Sequence, residues 1–214
     1  MSIREHLAEM DDVRYVDEPV DPDLGVTPYL KQDQTRPVMF ENAAGSRLVG
    51  NLWSTRDRIA AALNTDREGL VHRIAEALTS PVDPERVDDA EVLSHSTEDV
   101  DLTAIPIPKF YSGDGGPYIT GGVVVGEWEG ARNVSFHRLM VTGERTAVAR
   151  LVPRHLYSMH RSALAEGLDL PIAVVIGACP PVLIAAASSI GYGEDELRLA
   201  AGLRQLAWDE PIQV

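Results

Sequence analysis

The stretch from Gly113 to Arg138 constrains this chain more than any other. It reads G-D-G-G-P-Y-I-T-G-G-V-V-V-G-E-W-E-G-A-R-N-V-S-F-H-R. Glycines 113, 115 and 116, with Asp114 and Pro117, form a loop that tolerates positive φ and lets a ligand approach the backbone closely. An apolar run, Val123 to Val125, follows, and Glu129–Gly130 is the expected turn. A second strand is predicted over Asn133 to Met140. Its alternation places Asn133, Ser135, His137 and Leu139 on one face and Val134, Phe136 and Arg138 on the other. Polar groups on both faces beside a glycine loop make a poor plain core strand. An ordinary hairpin with a tight turn accounts for the pattern as well, so the residues alone leave both readings open.

The chain has 214 residues, 44% of them apolar, enough for one large domain or two small ones with a packed core. No apolar run approaches the roughly 18 residues a membrane-spanning helix needs. The charged amino terminus, without an apolar segment, predicts no signal peptide. A lone cysteine, Cys179, excludes an intrachain disulfide and suits a reducing cytoplasm; a buried bystander is its expected role. Acidic residues outnumber basic ones 33 to 19, for a net charge of −14. Such a surface repels phosphate backbones, which argues against nucleic acid as a partner. The only lysines are Lys31 and Lys109. Acid-rich and lysine-poor together point to a salt-adapted, halophilic source, where high salt screens self-repulsion. An ordinary acidic protein from a GC-rich genome is the alternative.

Taken in order, Ser2 to Met10 reads as a helix, with Ser2 and Glu5 as a capping box. Strands are predicted over 13–16, 37–41 and 47–52, with a proline- and acid-rich segment between the first two and only a helical turn near Tyr29. Ser54 or Thr55 caps a helix over 56–63. Asp66 caps another to Leu78, with Leu70, Ile74, Ala77 and Leu78 on its apolar side. His72 and His95 lack a second ligand at metal spacing. Beyond the glycine loop, a third antiparallel strand is expected over 146–152 and a helix from Pro153 to Glu166, stopped by Gly167. An apolar strand over 171–177, a helix opened by Pro180–Pro181, a loop over 188–193 and a final helix started by Asp195 or Glu194 and ending near Trp208 complete the pattern. Residues 211–214 read as the start of another strand.

D-G-G-P-Y-I-T followed by R-N-V-S-x-x-R resembles the prenylated-flavin-binding segment of the UbiD-type decarboxylases. The preceding L-T-A-I-P-I-P-K, the later P-I-A-V-V-I-G, and S-S-I ahead of E-L-R-L-A-A-G are similar to that family in order and spacing. The likeness covers residues 35–214 or so, and four motifs in series are far more specific than one. It implies an α+β fold: an amino-terminal α/β module over 1–100 and a flavin-binding split β-barrel with flanking helices over 101–214. The family's carboxy-terminal domain would follow beyond this point.

Carried over residue by residue, the resemblance implies that Asn133, His155 and Glu196 ligate Mn²⁺ or Mg²⁺, with K⁺ as an accessory ion. An amide oxygen, an imidazole and a carboxylate suit such ions, and a cation answers the problem of anchoring a flavin phosphate to an acidic protein. Ser135, Phe136 and His137 match strand positions lining prenylated FMN. Arg150, Leu151 and Arg154 match further cofactor contacts, and Ser188, Ser189 and Ile190 the loop at its phosphate or ring edge. Arg138 matches the arginine of a Glu-Arg-Glu catalytic set whose two glutamates belong to the segment after residue 214. Read singly, each residue has a plainer role: Asn133 in a turn, His155 in a first helical turn, Glu196 as an acid favoured by a helix dipole, Arg138 on a surface strand.

The activity so implied is reversible, non-oxidative decarboxylation of an α,β-unsaturated or aromatic carboxylic acid, with the cofactor as electron sink while CO₂ leaves. Anhydromevalonate phosphate, in isoprenoid synthesis, is the expected substrate if the source is archaeal; a polyprenyl-hydroxybenzoate or another aryl acid comes next. A flavin prenyltransferase would supply the cofactor, and the complete protein is expected to be a cytoplasmic homo-oligomer. Two alternatives stay open: a non-catalytic flavin-binding subunit that needs a partner, and an FMN-dependent flavin reductase. The absence of a nicotinamide-binding fingerprint counts against the second.

Overall fold

The computed structural model describes residues 3–210 and 212–214. In chain order these form α1 (Ile3–Ala8), β1 (Arg14–Val16), α2 (Val26–Gln32), β2 (Val38–Ala43), β3 (Ser46–Gly50), α3 (Arg56–Ala61) and α4 (Leu70–Thr79). Then come β4 (Tyr118–Ile119), β5 (Val123–Trp128), β6 (Ala131–Phe136), β7 (Leu139–Gly143), β8 (Thr146–Ala149), α5 (His155–Ala165), β9 (Ile172–Val175), α6 (Pro180–Ala187) and α7 (Glu196–Trp208). Single 3₁₀ turns at Glu91–Leu93 and Leu102–Ala104 punctuate the connection between α4 and β4. The mixed α+β class expected from the sequence is the one found. Two compact units each draw on several segments. One comprises the chain up to Ile59, Thr97–Thr120 and Arg138–Ala149; the other comprises Ala60–Ser96, Gly121–His137 and Arg150 onward.

In the first unit, β1 lies parallel to β2, and β2 turns back into β3 through Ala44 and Gly45, both at positive φ. Val16, Val20, Val26, Val38, Phe40 and Ala43 form its core, with the Tyr29 ring set edge-on to Phe40 at 5.6 Å. Helix α2 is longer than the single turn the sequence suggested. Pro28 falls in its first turn, where a missing N–H leaves no intrahelical bond unmade. Burial of Val26 and a 2.7 Å bond from Thr27 Oγ1 to the Phe110 carbonyl then fix the segment. A second sheet in this unit runs β4-β7-β8, all antiparallel.

The second unit is built on the antiparallel sheet β6-β5-β9. The Glu129–Gly130 turn forms as expected, with φ of 50° and 78° and Trp128 paired to Ala131. Two residues in the left-handed region match the right-handed twist of the flanking strands. Val123, Val134, Ala178, Ala186 and Leu197 form a core between this sheet, α6 and α7. Helix α4 packs on α7 in the same unit.

Several expectations change. The strand predicted over 133–140 is two strands: β6 ends at Phe136, β7 begins at Leu139, and His137–Arg138 lie in neither. The break has a topological cause, since β6 pairs with β5 in one unit and β7 with β4 and β8 in the other. Strand β8 stops at Ala149 rather than 152. Asp66 bonds the Gly69 N–H at 2.7 Å in the turn ahead of α4, leaving Gly69 as the cap, and Leu78 is exposed rather than on the buried side. Thr55 does cap α3, accepting from the Arg58 N–H at 3.2 Å. Strand β9 is shorter than predicted, an edge strand exposed along its length. Near the carboxy terminus Gln213 makes an isolated bridge to Glu85 rather than opening a strand. The Ser2 cap and Pro211 lie outside the described residues. Among the described residues no helix is long and apolar enough to cross a membrane.

Gly126, in β5, is where the sheet meets α5: a Cβ there would stand 2.7 Å from Leu156 Cδ1. Leu156 is buried and has little room to yield. Gly126→Val is expected to destabilise the chain by about 1–3 kcal/mol through overpacking. Denaturant unfolding checks this; an unchanged midpoint would show that α5 shifts freely.

Candidate functional site

Strand β6 carries Asn133 and Val134 into the second unit's core, and α7 starts beside them. Asp195 caps α7, its Oδ1 accepting from the Leu197 N–H at 2.8 Å. Its other carboxylate oxygen pairs with Arg132 at 2.9 Å, and Arg132 also reaches Glu127 on β5 at 3.2 Å. Arg132 to Asp195 is thus followed in register by Asn133 to Glu196. The Glu196 carboxylate is 2% exposed. Oε1 accepts from Asn133 Nδ2 and Oε2 from the Val134 backbone N–H, both at 2.8 Å.

Burial pushes the Glu196 carboxyl above the ordinary glutamate range. The hydrogen bonds from Val134 and Asn133 and the charge of His155 pull it back only in part. The helix N-terminus should favour a negative charge, yet desolvation prevails here. Among the described residues this buried carboxylate is held by N–H donors, with no hydrogen-bonded guanidinium or ammonium.

The polar chain continues along the strand. Ser135 Oγ lies 2.8 Å from Asn133 Oδ1 and 3.0 Å from His137 Nε2, and His137 Nδ1 is 3.5 Å from the Arg150 carbonyl. Asn133 and His137 are both buried. The structure therefore gathers Asn133, Ser135, His137 and Glu196, joined by the backbone of Arg150. His155, the first residue of α5, is half-buried, its ring set edge-on to Tyr192 at 5.5 Å.

The side chains of the other anticipated residues are not among this cluster's hydrogen-bond partners. Phe136 is 39% exposed. The Arg150 and Arg154 side chains are exposed, and Leu151 is half-buried. Ser188 closes α6, donating to the Ile184 carbonyl at 2.8 Å; Ser189 is exposed and Ile190 half-buried. Arg138 is exposed and is the first residue of a segment belonging to the first unit. Sequence reasoning missed Arg132 and its pairing with Asp195, and it missed Tyr192 and the Val134 N–H. The consecutive pairs Arg132–Asn133 and Asp195–Glu196 were a usable signal for the first two. A backbone N–H leaves no signal in sequence.

An amide, a carboxylate and an imidazole are group types that suit a hard divalent cation, and burial leaves the Glu196 charge poorly compensated. Among the described residues no three His, Cys, Asp or Glu side chains converge, so a cation here needs the Asn133 amide and ligands from outside the chain.

A carboxyl whose folded pKa lies above its unfolded one binds its proton more tightly in the folded state. Its contribution is fully present below the unfolded value and is lost as pH rises through the folded one. Cation-free protein is thus expected to carry a penalty from Glu196 at neutral pH. Glu196→Gln should raise the melting temperature near neutrality, with the gain shrinking as pH falls toward the glutamate range. Calorimetry against pH checks this; a gain that grows on acidification would reverse the assignment.

Two family models match the chain. Residues 4–78 match the 3-octaprenyl-4-hydroxybenzoate carboxy-lyase N-terminal domain, and residues 84–209 match the Rift-related domain of the same carboxy-lyase, UbiD. Anhydromevalonate phosphate decarboxylase of Methanosarcina mazei is 37% identical over 191 residues, covering 88% of this chain and 44% of that protein. The UbiD-class enzyme HmfF from Pelotomaculum thermopropionicum, solved with FMN, superposes with a TM-score of 0.92 at 32% identity, over 100% of this chain and 50% of that one. An evolved dimeric form of HmfF in complex with prFMN gives 0.92 at 34% identity, over 99% and 51%. The chain spans about half the length of the curated relatives it matches. With both models matched in order along the sequence and the whole fold superposed, the chain belongs to the UbiD carboxy-lyase family.

Proposed function

We propose that this chain supplies the flavin-binding part of a UbiD-type decarboxylase that acts reversibly and without net oxidation on an α,β-unsaturated or aromatic carboxylic acid. The observation that carries the reading is the buried Asn133–Glu196 pair, which sits at the positions the family motif marks. Structures of one relative, HmfF, solved with FMN and, in an evolved form, with prFMN support prenylated FMN as the cofactor. Mn²⁺ or Mg²⁺ would be held by Asn133, His155 and Glu196, and would supply the positive charge that lets this acidic chain accept a phosphate. When bound, the prenylated flavin supplies the electron sink for loss of CO₂. We assign the chemistry to residues 101–214 and a supporting role to 1–100.

The chain's own residues orient and polarise. Ser135, Phe136, His137, Arg150, Leu151, Arg154 and the Ser188–Ile190 loop are assigned to cofactor contact. Arg138 is assigned to the substrate carboxylate, which a planar guanidinium can grip with two parallel bonds. We assign the two glutamates that complete proton transfer to the part of the relatives' length this chain does not span, so the chain by itself would be inactive. Anhydromevalonate phosphate is the favoured substrate, supported by the name of the 37%-identical Methanosarcina relative. An aryl acid is the second choice. A cytoplasmic homo-oligomer, loaded by a flavin prenyltransferase, is the proposed working form.

Mass and absorbance of the ligand that co-purifies with the complete protein test the cofactor. In that protein, Arg138→Ala should lower decarboxylation at least 100-fold, roughly 2.7 kcal/mol of transition-state stabilisation, with the flavin retained. Steady-state rates with flavin absorbance check this, and unchanged turnover removes Arg138 from the mechanism. Glu196→Ala should lose the divalent cation and weaken flavin binding; full metal content by elemental analysis refutes the ligand assignment.

A further inference from the structure

Strand β9 carries the sequence of an interior strand at the edge of a sheet. In the order β6-β5-β9 it lies last, so among the described residues one side of its backbone has no strand beside it. Its ladder to β5 pairs Val123 with Val175, Val124 with Val174, Val125 with Ala173 and Gly126 with Ile172, without a bulge. Residues paired across a ladder share a face, and successive residues alternate. Val124 and Val174 therefore point to one side of the sheet, and Val123 and Val175 to the other. On β5 both sides are sealed: Val123 is 0% exposed and Val124 1%. Their partners one strand over, Val175 and Val174, are 40% and 37% exposed. The apolar layer on each face thus runs on to β9, while its cover stops at β5. Helix α5 packs on β5 and β6, and α6 and α7 pack on β6.

A strand that is apolar on both faces has the pattern of one buried on both faces. Natural edge strands carry charges, proline or a bulge that blocks pairing with a further strand. From Ile172 to Ile176 the chain reads I-A-V-V-I, with none of these. We propose that β9 is an interior strand of the complete protein: a β-strand with apolar side chains on both faces, drawn from the half of the family's length outside these 214 residues, pairs along its free edge. The chain spans 44% of the Methanosarcina relative and 50% of HmfF, so as much polypeptide again is there to supply it. A second copy of β9 is the rival occupant. Four residues make a strand only about 13 Å long. Two such strands joined edge to edge bury on the order of a few hundred Å², short of the roughly 1,000 Å² of a stable interface between copies. Each copy also brings a net charge of −14, which opposes association. A tethered segment does not depend on contact area in this way, because its effective concentration is near the millimolar range. The proposal rests on family membership and on β9, and on no assignment of cofactor, metal or substrate.

The test uses the complete protein, first without substitutions. Hydrogen exchange is followed at single amides along β9 and β5. On a free edge every second amide faces water. Here every amide from Ile172 to Val175 is expected to exchange within about 10-fold of those of Val123–Val125. Fast exchange at alternate positions of β9 overturns the proposal. A photo-crosslinking benzoylphenylalanine in place of Ile172 or Ile176, which are 48% and 57% exposed, then identifies the occupant. The expected adduct joins β9 to a peptide outside these 214 residues and within the same protein molecule. Adducts confined to residues 1–214, adducts joining β9 of two copies, or no adduct at either position overturn it. Neither measurement needs bound flavin or turnover, so this proposal and the decarboxylase reading fail separately.

Discussion

A glutamate carboxylate buried at the start of α7 and bound to a strand sets the geometry of the candidate site. Burying a carboxylate is unfavourable unless donors replace the lost water. Here two N–H groups of consecutive residues, Asn133 and Val134, do so, one from a side chain and one from the backbone. The pairing therefore fixes both the height of α7 along β6 and its rotation. Arg132 to Asp195, one residue earlier on each element, repeats the register at the half-exposed rim. An exposed pair of this kind contributes little stability. Its value is geometric, since it prevents a one-residue slip that would take Glu196 out of the core.

The same carboxylate reconciles two readings of Glu196 that the sequence set against each other. It occupies the first turn of a helix, where a dipole favours an acid, and it points into the core, where a metal ligand would be. These are not rival roles. The dipole and the two donors reduce the desolvation penalty without removing it, so the carboxyl still stands above its ordinary range. A buried carboxyl shifted in this way marks a candidate functional site.

The interruption at His137–Arg138 has a comparable logic. The chain leaves one sheet after Phe136 and joins another at Leu139. Between them two residues belong to no ladder. His137 uses that freedom to turn its ring back to Ser135. A strand running without a break would keep strict alternation and place its side chain by register alone.

Much of this was legible from sequence, because local chemistry carries its own signal. The Glu129–Gly130 hairpin follows from residues that tolerate positive φ, α6 from a proline pair at its start, and α7 from its Asp195 cap. Motif order was enough to identify the family and to single out Asn133, Ser135 and Glu196. Tertiary structure alone decided the rest, because it depends on pairing between distant residues. The full length of α2 comes from burial against residues far along the chain, and the end of β6 from a change of partner strand. That Glu196 binds a backbone N–H on β6, and that Asn133, Ser135 and His137 join in one hydrogen-bonded line, could not be read from composition or period. Side-chain type says which groups can bond; only the fold says which of them meet, and in a buried site that choice sets the charge and the direction of every donor.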